Sequence, residues 1–202
     1  MTKHPFHSWI SLEQPRLGTR VTCATDEFFA AKERIIDPAD PVFIEGKYDD
    51  HGKWMDGWES RRRRSPGHDA CIIRLGVPGV IHGLNVDTSH FTGNFPPQMS
   101  VDVCTSDDDV PENGWESLVA KQDIKGDSHN FISVESSGVW THVRLNIFPD
   151  GGVARLRIYG EVRPEETSVD KAVDLLALHQ GGRALSCSDE HYGSMHNLTM
   201  PG

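Results

Sequence analysis

This 202-residue sequence has no long apolar run. No window approaches the roughly 20 apolar residues that a bilayer-crossing helix needs, and the first nine residues hold Lys3, His4 and His7 where a signal peptide would have its apolar core. The expectation is a soluble, cytoplasmic protein. Cysteine is scarce: Cys23, Cys71, Cys104 and Cys187 are widely spaced with no C-x-x-C among them. That spacing argues against a zinc ribbon and a disulfide framework and leaves reduced thiols, at least two of them on strands. The metalloprotease pattern H-E-x-x-H is missing too, so no cofactor is argued; a divalent metal is compatible with the sequence, but nothing calls for one. Basic charge is in deficit, with 20 Lys and Arg against 30 Asp and Glu, a formal net charge of -10. Such a chain repels nucleic acid and anionic membrane surfaces, which leaves a small molecule or another protein as partner.

Helical periodicity is nearly absent between Asp37 and Gly160, where Gly and Pro punctuate short alternating runs. Residues 71–75 and 80–88 read as two strands split by a turn at 76–79, with Val80, Leu84, Val86 and Thr88 sharing one face. Residues 140–148 put Thr141, Val143, Leu145 and Ile147 on one face and His142, Arg144 and Asn146 on the other. Pro149-Asp-Gly-Gly then turns the chain, and residues 153–159 return with Arg155 and Arg157 facing out. This predicts a central antiparallel hairpin in which Val143, Leu145, Leu156 and Ile158 are buried. The fold class is all-β, an antiparallel sandwich or jelly roll. After a linker at 161–167, residues 168–178 carry an N-cap candidate and apolar spacing for a short helix.

The end of the chain repeats a stretch near its start. Residues 18–38 align without a gap on 181–201, with Gly18/Gly181, Arg20/Arg183, Asp26/Asp189, Glu27/Glu190 and Pro38/Pro201 identical. The organisation read from this is one unit over 1–160, a linker and helix over 161–180, and the opening of a second unit over 181–202. Residues 183–202 are expected to be poorly packed or paired with another copy, because an opening strand without its sandwich leaves backbone groups unsatisfied.

Chemistry concentrates in residues 46–69, which hold two Trp, several carboxylates, two His and four successive Arg. Arg61 to Arg64 read most simply as a solvated patch, yet some of them can form the bidentate fork that recognises a carboxylate. Asp56, Glu59 and Asp69 are acid or base candidates, since a carboxylate among aromatics is pushed toward neutral pH, or they are ion-pair partners of the arginines. His68, His90 and His129 are candidate proton shuttles or metal ligands, or merely satisfied polar groups. Trp54 and Trp58 offer area for a core or a pocket wall.

Lys53-Trp-Met-Asp-Gly-Trp-Glu-Ser-Arg-Arg, Pro66-Gly-His-Asp, Ile72-Ile-Arg-Leu-Gly, Val86-Asp-Thr-Ser-His-Phe-Thr-Gly-Asn-Phe-Pro, Ser128-His-Asn and the whole of 140–160 resemble the allantoicase family in order and spacing. The resemblance implies galactose-binding-like jelly-roll domains, two per chain and often in homo-oligomers. It also implies the step of purine breakdown in which allantoate and water give ureidoglycolate and urea. Allantoate carries one carboxylate and two neutral ureido groups on one carbon, so its site needs a cation, amide-recognising groups and an acid for departing urea. Arg61 or Arg62 would clamp the carboxylate. Glu59 or Asp69 with His68, His90 or His129 would move the proton, and Asp26, Asp56, Trp58 and Asn130 would line the pocket. The stretch from Asp56 to Asp69 and His90 should form one pocket, because the turn at 76–79 would bring both strand ends to one sheet edge. Two other classes stay open: a sugar-binding jelly-roll module with Trp54, Trp58 and Trp115 as its platform, and an inactive truncated relative.

Overall fold

The computed structural model describes residues 4–164 and 172–201. Its strands are β1 (Ile10–Ser11), β2 (Arg20–Ala24), β3 (Tyr48–Asp49), β4 (Gly52–Lys53), β5 (Trp58–Glu59), β6 (Asp69–Asp87), β7 (Gln98–Cys104), β8 (Glu116–Asp123), β9 (His129–Ser133), β10 (Trp140–Phe148), β11 (Gly152–Val153) and β12 (Arg155–Val162). All their pairings are antiparallel.

The architecture turns on β6, a single strand of 19 residues. Its first half lies between β2 and β10, with Ile73 opposite both Val21 and Val143. Its second half lies between β9 and β12, with Leu84 opposite both Ile132 and Ile158. A straight strand of that length would run about 60 Å. Yet β10 delivers Ile147 to Asp69 and β12 takes up at Asp87 with Arg155, eight residues that reach at most about 28 Å. The strand must therefore bend, and the β10 register shows where: between the pairs Trp140↔Gly79 and His142↔Arg74, β6 advances five residues against two. Residues 75–78 leave the ladder there, which brings the two ends of β6 back toward each other. One layer of the sandwich is β2, the first half of β6, β10, β7 and β8; the other is β1, β12, the second half of β6 and β9. A side chain at Gly76 would put its Cβ 2.0 Å from the Leu17 carbonyl, so the 3₁₀ turn Pro15–Leu17 seats on the bend only because the residue is glycine.

Two expectations change here. The Gly76 to Gly79 segment does not divide two strands but bends one, since Gly and Pro loosen a ladder without ending it. The stretches 140–148 and 153–159 are not hydrogen-bonded to each other; each pairs with a different half of β6. Alternation still reads their buried faces correctly, because Val143, Leu145, Leu156 and Ile158 are all inaccessible between the layers. They join Ile73, Leu84, Met99, Val101 and Trp58 in one core. Each side chain of this size contributes roughly 1.5–3 kcal/mol by leaving water. Arg155, expected to face out, is 1% exposed: its guanidinium donates to the Ala39 and Asp56 carbonyls, and Asp56 pairs with it at 2.9 Å.

β12 continues through Val162, two residues into the stretch read as linker. The helix expected over 168–178 falls partly outside the described residues. Its described portion holds a turn at Leu175 and Leu176 followed by a 3₁₀ turn, Leu178–Gln180.

The sequence repeat recurs as local structure at the same offset. Gly18 caps its turn at φ 89, ψ 7 and Gly181 does so at φ 88, ψ 5. Asp26 accepts from the Phe28 N–H at 3.1 Å, and Asp189 from the His191 N–H at 3.0 Å. Glu27 accepts from the N–H of Lys32, and Glu190 from that of Met195, each opening a further 3₁₀ turn. The surroundings differ. Ile35 is fully buried, whereas Leu198 at the equivalent position is 85% exposed, and Tyr192 is 98% exposed. Arg16 donating to the Pro201 carbonyl at 2.5 Å and Arg183 over the Trp9 ring at 5.0 Å tie this segment to the sandwich.

Candidate functional site

β5 is only two residues long, yet it is held on both sides. Glu59 pairs with Gly152 of β11 on one side and forms a backbone bridge to Ala30 on the other, with both N–H···O contacts at 3.2 Å. At Gly57 a Cβ would lie 2.5 Å from the Val153 carbonyl, so glycine lets this strand settle onto the 152–154 segment. Strand alternation then divides the pair. Trp58 points into the core, fully buried, with its indole N–H donating to the Asp26 carbonyl at 2.8 Å. Glu59 points the other way, into the loops.

Two adjoining clefts open around Glu59. The first, about 420 Å³, is lined by His51, Lys53, His90 and Thr92 with Phe29 and Met55. The second, about 350 Å³, is lined by Ser60, Arg62, Phe95, Pro149 and Asp150. Glu59 and Asn94 line both. Burial raises the Glu59 carboxyl above the ordinary carboxylate range, the Asn94 amide donating at 2.7 Å offsets this in part, and the negative charge of Asp49 adds to the rise. A carboxyl so placed holds its proton to higher pH and can give it to a ligand in either cleft.

Arg62 is exposed at the second cleft and has no hydrogen-bond or ion-pair partner among the described residues. Arg61 is engaged instead: its Nε and second guanidinium nitrogen reach Asp26 Oδ2 at 2.8 and 2.7 Å, and its backbone N–H donates to Asp26 Oδ1 at 2.8 Å. Burial pushes Asp26 up, but the N–H groups of Arg61 and Phe28 and the Arg61 guanidinium outweigh it and hold the carboxyl below its usual range. The free fork of the pair is thus Arg62.

His90 sits at φ 70, held by its N–H donating to Asp127 Oδ1 at 2.8 Å. Its Nε2 lies 3.3 Å from the Pro41 carbonyl, which can only accept, so Nε2 carries the proton and Nδ1 is left as an acceptor in the neutral ring. The remaining candidates stand apart from the clefts. Asp69 is 1% exposed and bonded to Arg63 at 2.5 Å and to the Thr25 hydroxyl at 2.9 Å. Asp56 pairs with Arg155 and accepts from the Val42 N–H; burial raises its carboxyl, and these partners more than reverse that. His68 is exposed with its ring against Phe148. His129 on β9 contacts Asn85 and Asp87 and stacks on Phe131. Asn130 spends its amide on the Val86 and Lys125 carbonyls and the Lys125 N–H, fastening the turn before β9. Trp58 is core.

The structure therefore brings together Glu59, His90 and Arg62. It adds Asn94, His51, Lys53 and Thr92, which sequence reasoning passed over. Asn94 and Thr92 stood within the Thr-Gly-Asn-Phe-Pro motif, and His51 and Lys53 beside the tryptophans, but no spacing rule marks a lone loop amide as a partner for a distant carboxylate. Among the described residues no group of three or more His, Cys, Asp or Glu is placed to hold a metal. No helix among them is long and apolar enough to cross a membrane.

Comparison with known proteins adds a second line of observation. The model of a family described as allantoicase repeat matches residues 10–163. A protein of Photobacterium profundum named probable allantoicase is 51% identical over 201 residues, covering 98% of this chain and 61% of that protein. The crystal structure of allantoicase from Saccharomyces cerevisiae superposes with a TM-score of 0.80 at 34% identity, over 96% of this chain and 59% of that one. The chain thus spans about three fifths of the length of these relatives. A CBM32 module from a Clostridium perfringens glycoside hydrolase, at 12% identity and a TM-score of 0.57, shares the galactose-binding-like jelly-roll fold alone.

Proposed function

The chain belongs to the allantoicase family, and from that membership we propose that the paired clefts bind allantoate and hydrolyse it to ureidoglycolate and urea. The observation that carries the reading is Glu59, a carboxyl whose hold on its proton is strengthened by burial on the wall between two clefts, with Arg62, unpaired among the described residues, lining the second. Arg62 takes the substrate carboxylate in the second cleft, where its planar fork offers two parallel hydrogen bonds. The ureido groups meet the hydroxyl of Thr92 and the acceptor nitrogen of His90. Glu59 gives its proton to the nitrogen of the departing urea as the C–N bond breaks. Water supplies hydroxyl to the carbon and returns a proton to Glu59, so the acid is restored after each turnover.

Release of urea from allantoate is the test. Glu59→Gln should lower kcat by about 10²- to 10⁴-fold with KM little changed, because a proton donor acts in the transition state. Arg62→Ala should raise KM about 10- to 100-fold, the worth of a charge-assisted hydrogen bond. Full turnover in Glu59→Gln sinks the assignment. The same reading takes the protein to be a cytoplasmic homo-oligomer, and the exposed apolar side chains Val42, Phe43, Ile44 and Tyr48 support the oligomer. A monomer at micromolar concentration in sedimentation would remove that part.

A further inference from the structure

We propose that Asn94 is a positioning residue for Glu59: its side-chain amide fixes the rotation of the carboxyl and decides which of the two oxygens carries the proton. The proposal rests on the reading of Glu59 as the proton donor and adds how that proton is aimed. Asn94 lies on the loop between β6 and β7. Its carbonyl accepts the Gly152 N–H at 2.7 Å. Gly151, at φ 139, packs so closely that an added Cβ would be 2.8 Å from that same oxygen. At the other end of the loop the Phe91 ring is fully buried against Gly152, and His90 is tied to Asp127. Gly152 is also the backbone partner of Glu59. Both side chains therefore hang from β11, and main-chain hydrogen bonds set their separation.

The consequence follows from the inventory of donors and acceptors. The Asn94 Nδ2 group donates to Glu59 Oε1 at 2.7 Å. In a neutral carboxyl the carbonyl oxygen is the better acceptor, so this bond assigns Oε1 that role and leaves the proton on Oε2. Without the amide the two oxygens are equivalent and the group is free to turn, so a productive orientation must be found afresh in each encounter. The charged and titratable groups facing this carboxyl are Asp49 on β3, His51 and Lys53 around β4, His90 after β6, Arg62 after β5 and Asp150 before β11. Among the described residues none of these is hydrogen-bonded to Glu59, and Asn94 is the side chain that is. Donation by an N–H also favours the ionised form, so Asn94 lowers a carboxyl that burial and Asp49 raise.

The experiment is a ¹³C titration of the Glu59 side-chain carboxyl by NMR, assigned with Glu59→Gln, in the wild-type chain, Asn94→Ala, Asn94→Asp and Thr92→Ala. Asn94→Ala should move the midpoint upward, Asn94→Asp should move it further because an ionised neighbour opposes a second charge, and Thr92→Ala should leave it in place. In turnover, Asn94→Ala should lower kcat about tenfold, the scale of one neutral hydrogen bond, with KM held and the high-pH limb displaced upward. A midpoint in Asn94→Ala no different from that in Thr92→Ala overturns the proposal whatever the turnover. If Asn94→Ala does not fold, the isosteric Asn94→Asp decides by the same midpoint. A displaced midpoint in a chain that releases no urea even as wild type keeps the Asn94–Glu59 coupling and removes the reaction assigned to it, so the two failures are distinguishable.

Discussion

Replacing Asp56 with Ala should destabilise the sandwich far more than the loss of a surface charge. Arg155 is 1% exposed, and its guanidinium donates to the Ala39 carbonyl at 2.9 Å, the Asp56 carbonyl at 3.2 Å, the Ala154 carbonyl at 2.7 Å and Asp56 Oδ2 at 2.9 Å. Three of these are neutral carbonyls, so Asp56 supplies the balancing charge. Its side chain is 13% exposed, which leaves water little access to replace it. Removing one partner of a buried pair leaves an uncompensated charge and costs about 3–5 kcal/mol, whereas an exposed pair is worth about 0–1 kcal/mol. The Val42 N–H, which Asp56 also satisfies, adds to the loss. Urea unfolding followed by tryptophan fluorescence reads the difference, with Asp56→Asn intermediate because it keeps an acceptor without the charge. Folding lowers the Asp56 pKa, so the pair's contribution is complete above the unfolded carboxylate range, near pH 4, and is lost as pH falls through the folded value. The acid limb of the wild-type stability profile should accordingly flatten in Asp56→Asn. A cost below about 1 kcal/mol for Asp56→Ala, with the acid limb unchanged, would show that water reaches the guanidinium and refute the argument.

Equivalent positions of the repeat should respond unequally: Ile35→Ala should cost about 2–5 kcal/mol and Leu198→Ala almost nothing, because only the first is buried. Equal losses in thermal unfolding would contradict this. Gly76→Ala should lower stability by at least about 1–3 kcal/mol, or prevent folding, since its Cβ would overlap the Leu17 carbonyl. An unshifted Tm would mean the bend can relax. Cys187 should react with a thiol reagent at once, while Cys71, fully buried with its thiol pushed up by burial, should react only on unfolding. Rapid labelling of both in the native protein would show that the layers open readily.

What could be read from the sequence is what is local. Alternation identified the buried faces of 140–148 and 153–159, since a period of two depends only on the pleat. Their partners were not legible, because a Gly-Val-Pro-Gly segment disrupts a ladder equally well as a turn or as a bend, and the choice depends on β10 and β12 far along the chain. Arg155 was placed on the correct face and given the wrong environment for the same reason: Ala39 and Asp56, far along the chain, engage it, and no pattern in the strand announces them. At the site, the chemistry of Glu59, His90 and Arg62 was visible in the type of residue. Separating Arg62 from Arg61 required knowing that Asp26 reaches only one of them.

The bend in β6 has a consequence for how the molecule comes apart. A sandwich whose layers meet only through side chains can loosen one layer while the other persists. Here the same continuous backbone carries hydrogen bonds at Ile73 in one layer and at Leu84 in the other, each flanked by strands on both sides. Pulling either half away strains the other through a covalent chain. The fold therefore has no cleavage plane between its layers, and amide protons at Ile73 and Leu84 should exchange with solvent together, through whole-molecule opening.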